Sequence, residues 1–159
     1  MKEKTTGTAK FGDFLLSDGT VTANLPADLT DIRGIYLYDG IFLVDASEKK
    51  KMYRKADNWC GERAGVIPSV KTLYFISFYF EEINKLREKI GKKPLDKDLL
   101  AWSSDGSETS NALTAFNYAV EIYSGAIKLL ISSSALIDDC SLANAVCVIG
   151  EPQKKRRVF

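Results

Sequence analysis

A chain of 159 residues, 45% hydrophobic and 27% charged, has the length and composition of one globular domain with a real core. Its 22 Lys and Arg against 21 Asp and Glu leave a net charge of +1, which gives no long-range pull toward nucleic acid or an anionic membrane. No histidine is present, so the commonest general base and the commonest transition-metal ligand are both missing, and the expectation of catalysis falls.

Residues 1–10 are polar and read as a flexible N-terminal arm, with one domain over 11–150 and a basic tail over 151–159. The opening MKEKTTGTAKFGDF holds no apolar run long enough for a signal peptide or a membrane anchor. A chain that starts natively at Met1 is therefore expected to be made and folded in the cytoplasm. From Phe11 the pattern is short strands punctuated by turns. Ser17 to Thr20 form one turn signal, and Asp39-Gly40, between IRGIYLY and IFLVDA, predicts a tight hairpin.

Two helices are expected next. Ser47 is placed to cap the first, over 47–63, where Met52, Ala56, Trp59, Cys60 and Ala64 recur at helical spacing before Gly65. Pro68-Ser69 opens the second, over 69–90. Leu73, Ile76, Tyr79, Phe80, Ile83, Leu86 and Ile90 keep its 3–4 spacing, Phe75 and Phe78 widen the stripe, and Gly91 supplies the stop. The run LLAW, residues 99–102, then reads as a buried strand set against the polar, turn-forming stretch Ser103 to Asn111. Beyond it Phe116, Tyr118, Val120 and Ile122 alternate with smaller or polar residues. Ser124-Gly125 turns the chain into AIKLLIS, and NAVCVIG supplies a last short strand. The predicted class is α+β, with two helices packed on short antiparallel β-sheets.

Cys60, Cys140 and Cys147 are odd in number, widely spaced and without a CxxC pair. Three buried free thiols are expected, with no structural disulfide and no zinc. No GxxxxGK[ST], GxSxG or HExxH run occurs, and the scattered Ser, Asp and Glu residues suggest no nucleophile–base arrangement. No catalytic residue, metal or cofactor is assigned.

Taken together, FGDFLLSDGT, the hairpin, ADNWCGERAGVIPSVKTL, WSSDGSE, AFNYAVEIYSG and NAVCVIG resemble a C-type-lectin-like domain. The nearest likeness is the Lcl C-terminal type of bacterial surface proteins and phage virion proteins, over about residues 11–150. It is also distantly similar to the formylglycine-generating enzymes. The resemblance implies a helix ending in a Trp-Cys-Gly region, a Pro-Ser-capped second helix, a WSS strand entering a polar loop, and a closing hairpin and strand. This sequence departs from the family in carrying Thr72 where a Glu often completes a capping box, and Cys147-Val148 where the last strand usually has Arg. The paired catalytic cysteines of the formylglycine-generating branch have no counterpart, which argues against an oxidase.

The resemblance implies Trp102 as a structural anchor at the root of a binding loop; Trp59 is read as a second anchor. Ser103, Ser104, Asp105, Ser107, Glu108 and Asn111 are the candidate ligand contacts, against the plainer reading of a solvated turn. Calcium would draw on Asp105, Glu108 and Asn111, with Asp138 and Asp139 further on, but the Glu-Pro-Asn and Trp-Asn-Asp signatures are missing. The tail KKRRVF reads as solvated, with phosphate binding or docking into a neighbouring subunit as alternatives. The expected function is a non-enzymatic phage virion protein (fibre, tail tip or capsid decoration) serving adhesion or receptor binding in host attachment. Its partners would be other virion proteins or a host-surface glycan or protein, and the chain a homo-oligomer, with a trimer among the options. Neither nucleic acid nor membrane insertion is expected. The bare start and free thiols favour the virion. The alternatives are a secreted bacterial cell-surface adhesin with its signal removed and an enzyme of unrecognised type.

Overall fold

The computed structural model describes residues 8–108, 114–134 and 140–152. The chain opens with β1 (Phe14–Leu16) and β2 (Val21–Thr22), paired antiparallel across the Ser17–Thr20 turn. β3 (Ile32–Tyr38) and β4 (Ile41–Lys51) form the expected hairpin, with Asp39 at φ 50° and Gly40 at φ 78° making its turn. Three helices follow, α1 (Tyr53–Glu62), α2 (Val70–Phe78) and α3 (Phe80–Lys89). The chain then returns to the sheet as β5 (Leu100–Glu108), β6 (Thr114–Glu121), β7 (Ile127–Ser134) and β8 (Ala143–Ile149).

Among the described residues eight strands join one mixed sheet in the order β2-β1-β3-β4-β8-β5-β6-β7. Every pairing is antiparallel except β5 with β8, which meet in parallel at Ala101 and Asn144. The expected two helices on short antiparallel sheets are therefore overturned: three helices pack on one long mixed sheet, an α+β arrangement only in the broad sense. β8 shows why the sequence misled. Ala143, Ala145 and Cys147 pack with α1 residues Ala56 and Cys60, whereas Val146 and Val148 pack with Leu73, Ile76 and Ile83 of α2 and α3. Successive side chains of a strand point to opposite faces, so α1 covers one face of the sheet and α2 and α3 the other. A strand buried on both faces reads as a plain apolar run, and NAVCVIG carries no mark of its central position.

The helix boundaries also move. Residues 47–51 belong to β4, and α1 starts at Tyr53 after Met52, which makes no side-chain cap. Ser47 serves a bulge instead. The β4–β8 register shifts between Ala46 and Lys50, and the Ser47 hydroxyl accepts the Ala145 N–H at 2.9 Å and donates to the Lys49 carbonyl at 2.8 Å. Asn144, buried beside it, donates to the Ser47 carbonyl at 3.0 Å and accepts the Leu100 N–H at 3.2 Å. These two side chains satisfy the backbone where β4 leaves the regular ladder.

The second expected helix, 69–90, is two helices broken at Tyr79, whose φ and ψ of −102° and 29° leave the helical region. Apolar spacing runs unbroken through that point, so periodicity alone conceals the break. Ser69 does cap α2, accepting the Thr72 N–H at 3.2 Å. At the end of α1 the left-handed position is taken by Ala64, at φ 56°. Gly65 is needed for another reason, because a Cβ there would stand 3.1 Å from the Val148 carbonyl oxygen of β8.

The cysteines give the second correction. Cys60 on α1 and Cys147 on β8 form a disulfide across a sequence separation of 87, with Cα atoms 5.3 Å apart, and Cys140 alone is a free thiol. Odd count and wide spacing said nothing about proximity in the fold. The disulfide joins α1 to the strand it covers, inside the cluster that includes Trp102 and Ala119.

Candidate binding site

β5 is where the expected loop was placed, and the polar run turns out to begin as strand. The β5–β6 register pairs Trp102 with Ala119 and Gly106 with Asn117, so Ser103, Ser104 and Asp105 bulge out of the ladder. Ser103 is buried; its hydroxyl accepts the Asp105 N–H at 3.2 Å and donates to the Asp105 carbonyl at 3.1 Å. Asn117 closes the bulge from β6 by donating to the carbonyls of Ser103 at 3.0 Å and Asp105 at 3.4 Å. Gly106 is obligatory, since a Cβ there would lie 2.1 Å from the Phe116 carbonyl oxygen. The bulge also meets the chain before α2. Ser104 N–H donates to the Pro68 carbonyl at 2.7 Å, and Asp105 Oδ2 accepts the Val70 N–H at 2.7 Å. Asp105 thus holds the first turn of α2, where a carboxylate also meets the positive end of the helix dipole.

The candidate contacts therefore separate. Ser103 is internal, and Ser104 and Asp105 are half-buried and tied to α2. Ser107 and Glu108 continue β5, paired with Phe116 and Ala115, and their side chains lie outside the described residues. Asn111, and Asp138 and Asp139 of the calcium set, also lie outside them. Trp102 is fully buried, with its indole N–H donating to the Lys51 carbonyl at 2.8 Å and its ring edge-on to Tyr53 at 5.4 Å. Trp59 is only half-buried and carries the Arg63 guanidinium 3.5 Å over its ring.

What sequence reasoning missed is the surface beside the bulge. Val70, Asp105, Tyr118 and Ile127 line an open groove of about 400 Å³ between α2 and the β6–β7 hairpin. Tyr118 pairs with Leu129 and Val120 with Ile127, so these side chains share one face of the sheet. Val120 is covered by α2 and α3, whereas Tyr118, Ile127 and Leu129 lie past their edge and stay exposed, Leu129 at 49%. Tyr74 borders the patch from α2 against Gly125, whereas Tyr123, exposed in the β6–β7 turn, packs edge-on to Phe80 of α3 at 5.3 Å. The alternation of Tyr118, Ile127 and Leu129 is legible in the sequence, but it reads as core, because nothing local says that α2 stops short of them.

The edge of the sheet lies here as well. At Ile131 the outer side of β7 is closed by Ser141, whose N–H donates to the Ile131 carbonyl at 3.0 Å and whose hydroxyl accepts the Ile131 N–H at 3.1 Å. Lys128 Nζ is paired with Glu121 at 2.8 Å, and the Ser124 hydroxyl donates to the same carboxylate at 3.0 Å. These bonds hold the hairpin to a fixed shape, and a charged residue on the edge strand discourages unspecific pairing.

Among the described residues no group of three or more Cys, Asp or Glu is placed to hold a metal ion, and no helix is long and apolar enough to cross a membrane. Comparison with protein families, with curated proteins and with solved structures finds no match to this chain.

Proposed function

We propose that this chain is a non-enzymatic recognition module, C-type-lectin-like in kind, displayed on a virion and engaging a host-surface or virion partner through the groove between α2 and the β6–β7 hairpin. The observation that carries the reading is the exposed apolar and aromatic face of Tyr74, Tyr118, Ile127 and Leu129. A contiguous patch of this kind on a rigid base marks a binding surface more often than an idle one. Aromatic rings offer large contact area at low entropic cost, suited to a sugar face or an apolar side chain.

Kinship with C-type-lectin-like domains is supported by element order. A helix ending near Trp59-Cys60-Gly61 precedes a Ser69-capped helix, the strand through Trp102-Ser103-Ser104, a hairpin and a closing strand, with α3 as an element that the resemblance did not imply. The argument for a virion from free thiols falls with the Cys60–Cys147 disulfide. That bond suits any surface facing an oxidising medium, a virion or a cell exterior alike, so the second reading, a bacterial surface adhesin, stands beside the first. Mass spectrometry of purified particles and of cell-surface fractions from the source separates the two. Membership of the particle supports the virion reading, and a surface-anchored, processed form supports the adhesin. Residence in neither fraction overturns both.

A further inference from the structure

Away from the groove, three cations meet one carboxylate where the ends of α1 and α3 approach β4. Arg63 Nε stands 3.5 Å from Asp45 Oδ2, and Arg87 Nη2 stands 4.0 Å from Asp45 Oδ1. Lys92, in the turn after α3, donates from Nζ to the Val44 carbonyl at 2.9 Å and makes no ion pair among the described residues. The exposed Glu62 carboxylate reaches Arg63 from outside at 3.9 Å.

An ordinary ion-pair network would bring charges together in balance, and this one does not. Three positive charges face two carboxylates, Asp45 among them and Glu62 outside in solvent, and each cation is also placed by a neutral group: Arg63 by the Trp59 ring and carbonyl, Arg87 by the Lys93 carbonyl, Lys92 by the Val44 carbonyl. Those carbonyls and the two helix C-termini offset part of the excess, but they are dipoles and cancel no net charge. Arg87 is only 5% exposed, so its charge is held where water screens it poorly. Burial, with Arg87 and Arg63 adding to it, lowers the pKa of Lys92 even with Asp45 in reach. Arg63 and Asp45 side chains stay about one-third exposed, which leaves the cluster open to solutes.

We propose that Arg63, Arg87 and Lys92 form a binding site for a sulfate or phosphate group, which supplies the charge that Asp45, with the exposed Glu62 outside it, does not. The fixed guanidinium planes suit a tetrahedral oxyanion, and the compact ammonium adds a point charge. The site shares no residue with the groove and stands whether or not the groove binds a partner.

The test is an NMR titration of the ¹⁵N-labelled full chain with sodium sulfate and sodium phosphate, against sodium chloride at matched ionic strength. Saturable shifts of the Arg63 Nε–H and of the Val44–Ala46 amides are expected with the oxyanions alone. Lys92→Gln and Arg63→Gln each lose a charged hydrogen bond to the oxyanion, so each should weaken binding about tenfold or more. Lys93→Gln, which alters an exposed neighbour paired with Glu48, should leave it unchanged. Asp45→Asn should tighten it, since the competing internal anion is gone. Galactose 6-sulfate is compared with inorganic sulfate; tighter binding of the ester points to a sulfated glycan, and tighter binding of the free ion to a solute. Shifts no larger than chloride produces, or wild-type affinity in both Lys92→Gln and Arg63→Gln, would overturn the proposal.

Discussion

Asp105 on β5 accepts the Val70 amide N–H of α2 at 2.7 Å, so the strand bulge and the helix that together border the groove are fixed to one another. Carboxylates at a helix N-terminus contribute through both the hydrogen bond and the dipole. Asp105→Ala should therefore cost about 1–2 kcal/mol, read by urea unfolding. Asp105→Asn, which keeps an acceptor and loses the charge, should cost less. Equal stability in all three proteins would mean that the contact does not support α2.

The Cys60–Cys147 disulfide closes a long stretch of chain, and a loop of that size constrains the unfolded state by about 4–5 kcal/mol. Reduction should lower the unfolding midpoint accordingly. Thiol titration of the denatured, unreduced protein should find one reactive cysteine, Cys140, and three after reduction. Three before reduction would contradict the pairing.

Trp102 fills the space between the sheet and α1 and donates its only polar hydrogen to Lys51. Trp102→Ala should cost about 3–5 kcal/mol through the cavity it leaves. Trp102→Phe fills much of that space but loses the hydrogen bond, and should cost less. A loss under 1 kcal/mol for the alanine variant, by thermal or urea unfolding, would place the tryptophan outside the core.

These contacts show how far the sequence was readable. Asp39-Gly40 marked its hairpin because only a few residue types accept positive φ at both turn positions. Ser69 marked its helix because the cap is a local bond. Ser47 looked equally suited to capping, yet its partner is Ala145, nearly a hundred residues away. The same holds for Ser103 and Asp105: a short polar run reads as a loop unless Asn117 and Val70 are known to stand beside it. Cys60 and Cys147 were unreadable as a pair for the same reason. Local chemistry survived the reading, and contacts set by sheet order did not.

Lys128 first, and Ser124 after it, hold the Glu121 carboxyl below its ordinary value of 4.5. A depressed folded pKa means that the unfolded chain binds the proton more tightly. The contribution is therefore present in full above pH 4.5 and is lost as pH falls through the folded value. Lys128→Met should move the Glu121 titration midpoint upward toward 4.5, followed by carboxyl ¹³C NMR. An unmoved midpoint would show that the pair does not persist in solution.

The most direct test of recognition through the α2–β6–β7 face is the double variant Tyr118→Thr with Leu129→Thr, which keeps strand-favouring side chains while stripping the apolar surface. Binding of the purified chain to intact host cells is measured by flow cytometry beside the unfolding midpoint of each protein. Truncating central aromatic contacts typically costs 2 kcal/mol or more, so the double variant should bind about 30-fold more weakly at nearly unchanged stability. Wild-type binding by a fully folded double variant would contradict the account.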